Sequence, residues 1–129
     1  MPDIIKEKLQ IIIESIQMIE TRFSRISKAD DLVLSEEGVL ILDSIAIRLQ
    51  VIGETLKKIS KIDESLLDRY PMIEWDKIIK LRDLISHHYD LIDYEVIFDI
   101  CDNHISELKT VINLLIKNEF GSDKEFPSL

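Results

Sequence analysis

The chain has 129 residues, 46% of them hydrophobic and 32% charged, with only three glycines and three prolines, which suits a single helical domain and disfavours a turn-rich β fold. The formal net charge of −9 argues against nonspecific wrapping of DNA or RNA, because such binding depends on neutralising phosphates. A local cationic cleft is still compatible with that charge, since the field in a cleft depends on nearby charges more than on the total.

Apolar residues recur every three or four positions in two long segments, and each segment is predicted to form an amphipathic helix. The first stripe is Ile5, Leu9, Ile12, Ile16, Ile19, Phe23 and Ile26, and the second is Leu42, Ile45, Leu49, Ile52, Leu56 and Ile59. Ser35 is the expected N-cap of the second helix, because Glu36 and Glu37 follow it where the helix dipole favours carboxylates. The segment SKADDLVL, which connects the first two helices, is polar at first and then apolar, so part of it is expected to pack against the core.

Two more long helices are predicted after a short one. Asp63 caps the short helix and Pro71 ends it. The third long helix runs through the segment WDKIIKLRDLISHHY, with Trp75, Ile78, Leu81 and Ile85 towards the core. The fourth opens at Asp93, runs through Ile97, Cys101, His104, Leu108, Val111 and Leu115, and closes at Gly121 as a C-cap.

These stripes predict an all-α, up-and-down four-helix bundle with a short extra helix. Residues 1–120 form the helical domain, and residues 121–129 are expected to be a flexible C-terminal tail. The second and fourth helices also carry apolar residues away from their main stripes, namely Leu40, Ile47, Val51, Ile100, Ile105 and Ile112. They belong either to a wide core stripe or to a face buried in a homodimer, and the homodimer is the favoured interpretation.

The sequence gives no sign of secretion or of a membrane span. Cys101 is the one cysteine, which suits a reducing compartment. The N-terminal segment lacks the basic region, apolar core and cleavage site of a signal peptide, and carboxylates interrupt every long apolar run. A cytoplasmic protein is therefore expected.

The densest group of chemically useful residues lies between Arg82 and Tyr89. Arginine carries a permanent cation with a planar donor fork suited to phosphate, and histidine exchanges protons near neutral pH. Together they suffice to cleave an RNA phosphodiester without a metal or another cofactor: one group takes the 2'-hydroxyl proton and the cation stabilises the phosphorane. A metal site at His87, His88 and Asp90 is disfavoured, because adjacent histidines on a helix diverge.

Helix geometry constrains this hypothesis. At about 100° per residue, His87 lies about 140° around the helix from Arg82. The two side chains can converge if the helix ends near His87, or if a two-fold related partner brings second copies to a shared cleft. A combination of the two, with the active site at a dimer seam, is preferred.

The motif resembles that of HEPN domains, in their HepT branch. Arg82, His87 and Tyr89 match its spacing, with Asp93 four residues further on. The segments IRLQVIGETLKKIS and RYPMIEWDKIIKLRD also resemble that branch, so the similarity covers roughly residues 42 to 115. The chain departs from the family at Asp83, where an uncharged polar residue is common. The Asp83 carboxylate could pair with Arg82, orient His87, or weaken phosphate binding.

The resemblance implies a HEPN-like bundle that dimerises around a metal-independent endoribonuclease site. It implies that Arg82 binds the scissile phosphate and that His87 is the general acid or base, with Asp83 and Asp93 in support. It further implies a toxin of a HEPN/MNT toxin–antitoxin system, inhibited when a cognate MNT-type nucleotidyltransferase adds AMP to Tyr89. The alternative is a non-catalytic HEPN subunit that binds the nucleotidyltransferase and helps to position its nucleotide or substrate.

Overall fold

A computed structural model describes the backbone of residues 2–87 and 93–121, and their side chains except at positions 2, 3 and 83–87. Over those ranges the chain forms a 3-10 helix at Ala29–Leu32 and six α-helices. The α-helices are α1 (Pro2–Phe23), α2 (Glu36–Ile62), α3 (Glu64–Asp68), α4 (Trp75–His87), α5 (Tyr94–Asn103) and α6 (Ile105–Phe120). The predicted tail, from residue 122 onwards, lies outside the described residues.

The core is built on α2, against which α1 and α4 both pack, while α6 packs on α1. The predicted apolar stripes of the first two helices supply much of it: Ile5, Leu9, Ile12, Ile16, Ile19, Leu42, Ile45, Leu49, Ile52, Leu56 and Ile59 are all buried. Phe23 and Ile26 pack against this core and are half-buried. The predicted all-α bundle with a short extra helix is thereby confirmed.

Four helix ends lie at the capping residues that the sequence predicts. The Ser35 hydroxyl accepts the backbone N–H three residues later at 2.9 Å, which satisfies one of the free donors at the start of α2. Asp63 and Asp93 each accept the N–H two residues later, at 3.2 and 2.9 Å, and so cap α3 and α5. Gly121 follows α6 with φ of 60°, the left-handed conformation that glycine adopts without a steric penalty. The four predicted caps are confirmed.

The predicted fourth helix is divided in two. The helix breaks at His104, which ends α5 and precedes α6. The His104 side chain is 59% exposed, and its Nε2 lies 3.4 Å from an Asp99 carboxylate oxygen. The prediction that His104 lies packed in the apolar stripe is therefore wrong. The break shifts the register, so that the buried stripe resumes at Ile105 and continues with Leu108.

The connection between α1 and α2 packs as expected. Leu32, in the 3-10 helix, is fully buried. One Asp31 carboxylate oxygen accepts the backbone N–H groups of Ser27 and Lys28 at 2.9 and 3.1 Å. These two hydrogen bonds lower the pKa of Asp31, because they stabilise its charged form.

The apolar residues outside the main stripes differ in how far they are buried. Ile105 and Ile112 of α6 are buried, so this helix has a wide core stripe. Leu40 and Ile47 of α2 remain 65% and 46% exposed in the single chain. On α1, three more exposed apolar residues recur every seven positions, and one of them, Met18, lines a shallow depression together with Ile47. The α1–α2 apolar face is defined here as Ile4, Ile11, Met18, Leu40 and Ile47.

No helix within the described ranges combines the length and the apolar character needed to cross a membrane.

The end of α6 is tied to the segment between α3 and α4 through one carboxylate. Glu119 accepts a hydrogen bond from the Tyr70 hydroxyl at 2.8 Å and from the Arg69 guanidinium at 2.9 Å. The hydrogen bond from Tyr70, and then that from Arg69, lower the pKa of Glu119. These residues form the Glu119 cluster (Arg69, Tyr70 and Glu119). Because the folded pKa is lowered, the charged Glu119 stabilises the fold at neutral pH, and this contribution is lost as the pH falls through that pKa.

We predict that Glu119→Gln lowers the thermal unfolding midpoint at pH 7 by a few degrees, corresponding to about 1 kcal/mol for losing charge-assisted hydrogen bonds. The difference from the wild type should shrink in melts recorded at acidic pH, where the wild-type carboxylate is also neutral. Glu14→Gln, an exposed change in the middle of α1, is the control and should leave the midpoint unchanged at both pH values. A Glu119→Gln difference that stays constant from pH 7 into the acidic range would contradict the assignment.

Candidate active site

The helix that carries the predicted motif is fixed at its first residue. Trp75 opens α4, and its indole Nε1 donates to the backbone oxygen of Tyr70 at 2.9 Å. Both side chains are more than nine-tenths buried, and Tyr70 is held in turn by Glu119. A buried Trp needs a partner for its N–H, and this bond sets the position at which α4 starts.

Arg82 lies in the middle of α4, beside a glycine of α2. An idealised Cβ at Gly53 would lie 3.1 Å from the Arg82 Cβ, 3.3 Å from its backbone N and 2.9 Å from the Ile78 carbonyl oxygen. The two helices therefore approach so closely that no side chain fits at Gly53. Arg82 is half-buried and retains access to solvent.

His87 is the last residue of α4. An unbroken helix places it about 7.5 Å along the axis from Arg82 and about 140° around it. Residues 88–92 lie outside the described residues, so the condition that α4 should end near His87 stays a prediction. The side chains of Asp83 and His87 lie outside the described residues, as do the whole of His88, Tyr89 and Asp90. Their roles remain predictions.

Asp93 has a defined structural task. Its Oδ1 accepts the N–H of Glu95 at 2.9 Å and that of Val96 at 3.4 Å, at the start of α5. This oxygen is engaged by the helix it caps, and only the second carboxylate oxygen is left for any supporting role near the motif. Next to it, Tyr94 donates its hydroxyl to Asp30 at 3.2 Å, which ties α5 to the 3-10 helix and raises the pKa of Tyr94.

A groove of about 380 Å³ borders α4 where this helix meets α5 and α6, and Leu49 and Ile52 of α2 also line it. Its walls are mostly apolar and include Ile78 and Leu81 of α4. Arg82 follows Leu81 and lies about 100° further round the helix, on the side where Gly53 is found. The predicted catalytic arginine thus belongs to the α2–α4 contact and not to this groove.

Other reactive side chains of the described region do not form a second catalytic site. Burial raises the pKa of Cys101 to about 12, so its thiol stays protonated and is a poor nucleophile at neutral pH. Among residues 4–82 and 93–121, whose side chains the structure describes, no three His, Cys, Asp or Glu side chains cluster in a way that could hold a metal ion.

A family model described as "Ribonuclease HepT-like" matches residues 12–115, which is most of the chain. The chain belongs to the HepT-like ribonuclease family. The matched range includes α2, the segment between α3 and α4 that holds Arg69 and Tyr70, and the whole of α4. It therefore contains Gly53, Arg82 and His87. The family resemblance drawn from the motif is confirmed.

Three curated relatives come from Methanocaldococcus jannaschii. The protein named "Putative RNase MJ0127" is 37% identical over 76 residues, which are 59% of this chain and 60% of that protein. "Putative RNase MJ1216" is 33% identical over the same share of each chain, and "Putative RNase MJ0125" is 33% identical over 54% of this chain and 58% of that protein. The chain thus spans about three fifths of the length of these relatives. No solved structure gives a significant match.

Sequence reasoning missed two contributors to the position of α4. Gly53 and Tyr70 were noted only as members of the two segments that resemble the family, and neither was assigned a role. A glycine in the interior of a long helix is itself a signal, because it costs stability and calls for a close approach to explain it. Tyr70 carried no comparable signal, since its partner Glu119 is 49 residues away in the sequence.

Proposed function

We propose that the chain is a metal-independent endoribonuclease with Arg82 and His87 as its catalytic residues. The observation that carries the proposal is that one helix, α4, bears both Arg82 and His87, in a chain of the HepT-like ribonuclease family. The names of the three curated relatives support the same activity.

The chemistry needs only these two groups and the RNA itself. The His87 imidazole takes the proton of a ribose 2'-hydroxyl, whose oxygen then attacks the adjacent phosphorus. Arg82 stabilises the negative charge that builds up on the phosphorane oxygens. The bond from phosphorus to the 5'-oxygen breaks, and the leaving oxygen takes up a proton. The products are a strand ending in a 2',3'-cyclic phosphate and a strand beginning with a 5'-hydroxyl.

We further propose that the active form is a homodimer. The angle between Arg82 and His87 on α4 favours a site completed by a second copy. The α1–α2 apolar face gives such a copy a contact, because apolar residues repeated on one side of two adjacent helices exceed the scattered exposure of an ordinary surface.

The nuclease proposal predicts that purified protein degrades RNA in the presence of EDTA. His87→Ala and Arg82→Ala should each reduce the cleavage rate by about a hundredfold or more, as expected for the loss of a general base or of a charge-stabilising donor. Lys80→Ala is the matched control, because it removes an exposed cation from the same helix. An RNA with a 2'-deoxyribose at the cleavage site should resist, since the attacking oxygen is missing.

Equal RNA loss with wild type, His87→Ala and Arg82→Ala would remove the catalytic assignment. No RNA loss with any of them, together with a stable complex with the neighbouring gene product, would select the non-catalytic nucleotidyltransferase-binding subunit instead.

Regulation by a cognate MNT-type nucleotidyltransferase is the second part of the proposal. In this reaction the Tyr89 hydroxyl oxygen attacks the α-phosphorus of ATP, loses its proton and displaces pyrophosphate. The AMP group adds bulk and negative charge two residues after His87, where it competes with RNA phosphate for Arg82. The pair would then act in the cytoplasm as a toxin and its antitoxin.

This regulation predicts a mass gain of one or more adenylyl groups when the protein is incubated with ATP and the nucleotidyltransferase encoded by the adjacent gene. The modified protein should lose its RNase activity. Tyr89→Phe should gain no mass and should stay active in the same mixture, while Tyr94→Phe, which lies outside the motif, should behave as the wild type. Modification of Tyr89→Phe to the wild-type extent would contradict the assignment.

A further inference from the structure

Two glycines lie inside helix α2, and their surroundings differ. Gly38 is buried at the first turn, next to the Ser35 cap and the Asp31 carbonyl, so its lack of a side chain lets the 3-10 helix pack on the start of α2. Gly53 is also buried but lies in the middle of the helix, far from any cap or turn. Glycine disfavours helix there, so a reason for its presence must be sought in what it contacts.

The contacts of Gly53 are with the backbone around Arg82. An idealised Cβ at this position would lie 2.9 Å from the Ile78 carbonyl oxygen, a distance that real Cβ atoms essentially never show. It would also press on the Cβ and backbone N of Arg82, at 3.1 and 3.3 Å. These are main-chain atoms and a first side-chain carbon, which cannot rotate away as the end of a flexible side chain can. Any added side chain must therefore push α4 away from α2 at Arg82.

We propose that Gly53 is a positioning residue for Arg82: by leaving no side chain between α2 and α4, it fixes the point from which the guanidinium reaches the RNA phosphate. The proposal rests on the proposed nuclease function for its catalytic consequence, and on geometry alone for the placement of Arg82.

The remaining supports of α4 cannot replace this contact. Trp75 and Tyr70 hold the helix seven residues earlier, at its start. A groove of about 380 Å³, lined by residues of α2, α4, α5 and α6, borders α4 beside this contact. A Cβ at Gly53 must shift α4 relative to α2 at this point, and the backbone of Arg82 moves with it. Because catalysis depends steeply on the position of charge-stabilising groups, a small displacement has a large effect on rate.

The test is Gly53→Ala in the full chain. Cleavage of saturating RNA should fall by roughly tenfold or more, with a much smaller change in KM, because the misplaced arginine affects the transition state more than binding. Ile16→Val, a buried change on α1 away from α4, is the stability control and should keep cleavage within about twofold of the wild type. The higher helix propensity of alanine offsets part of the strain, and sucrose can be added to favour the folded state.

A double-mutant cycle separates positioning from general damage. In an Arg82→Lys background, which lacks the guanidinium fork, Gly53→Ala should cost less than about twofold, because no guanidinium is left to misplace. The same fold loss in both backgrounds, or a loss no greater than that of Ile16→Val, would overturn the proposal.

A nuclear magnetic resonance measurement keeps the proposal testable if the wild type cleaves no RNA. The Nε–Hε signal of the Arg82 guanidinium should shift in Gly53→Ala and stay in place in Ile16→Val. An Arg82 signal unmoved by Gly53→Ala refutes the positioning role whatever the enzymatic activity. Absence of cleavage by the wild type, with a shifted Arg82 signal, refutes the nuclease function alone.

Discussion

The close packing of α4 on α2 is the interaction on which the candidate site depends. Arg82 and His87 belong to one helix, so the packing of that helix sets the backbone position of both residues. Two contacts do this: the bond from the Trp75 indole to the Tyr70 carbonyl at the start of α4, and the side-chain-free approach of Gly53 beside Arg82. The chemistry therefore rests on how one flank of α4 is packed.

The sequence was sufficient for the local features of the fold. Apolar periodicity and capping residues act over a few positions, so the stripes of α1 and α2 and the caps at Ser35, Asp63, Asp93 and Gly121 were predictable. It was insufficient where burial depends on which helix lies opposite. Ile112 and Leu40 are both apolar and both lie off their main stripes, yet the first is buried and the second is 65% exposed. The break at His104 was missed because no glycine or proline marks it in the sequence.

The candidate site, too, was predictable from the sequence only in part. The spacing of Arg82 and His87 marked the motif, and the family match covers both residues. The contribution of Gly53 needed three dimensions, because 29 positions separate it from Arg82. Asp93 illustrates the opposite case: the sequence offered it both as a cap and as a supporting residue, and one of its oxygens is occupied by the cap. The net charge of −9 places no limit on a site of this kind, because one guanidinium close to the phosphate outweighs distant carboxylates.

The measurement that tests the account most directly is complementation between two inactive variants. Arg82→Ala and His87→Ala proteins are unfolded together, refolded as an equimolar mixture and assayed on RNA in EDTA. If the site takes its arginine from one copy and its histidine from the other, half of the dimers are mixed and each has one intact site, so about a quarter of the wild-type activity returns. If the mixture stays as inactive as each variant alone, the two residues do not meet across a dimer and the shared site is wrong.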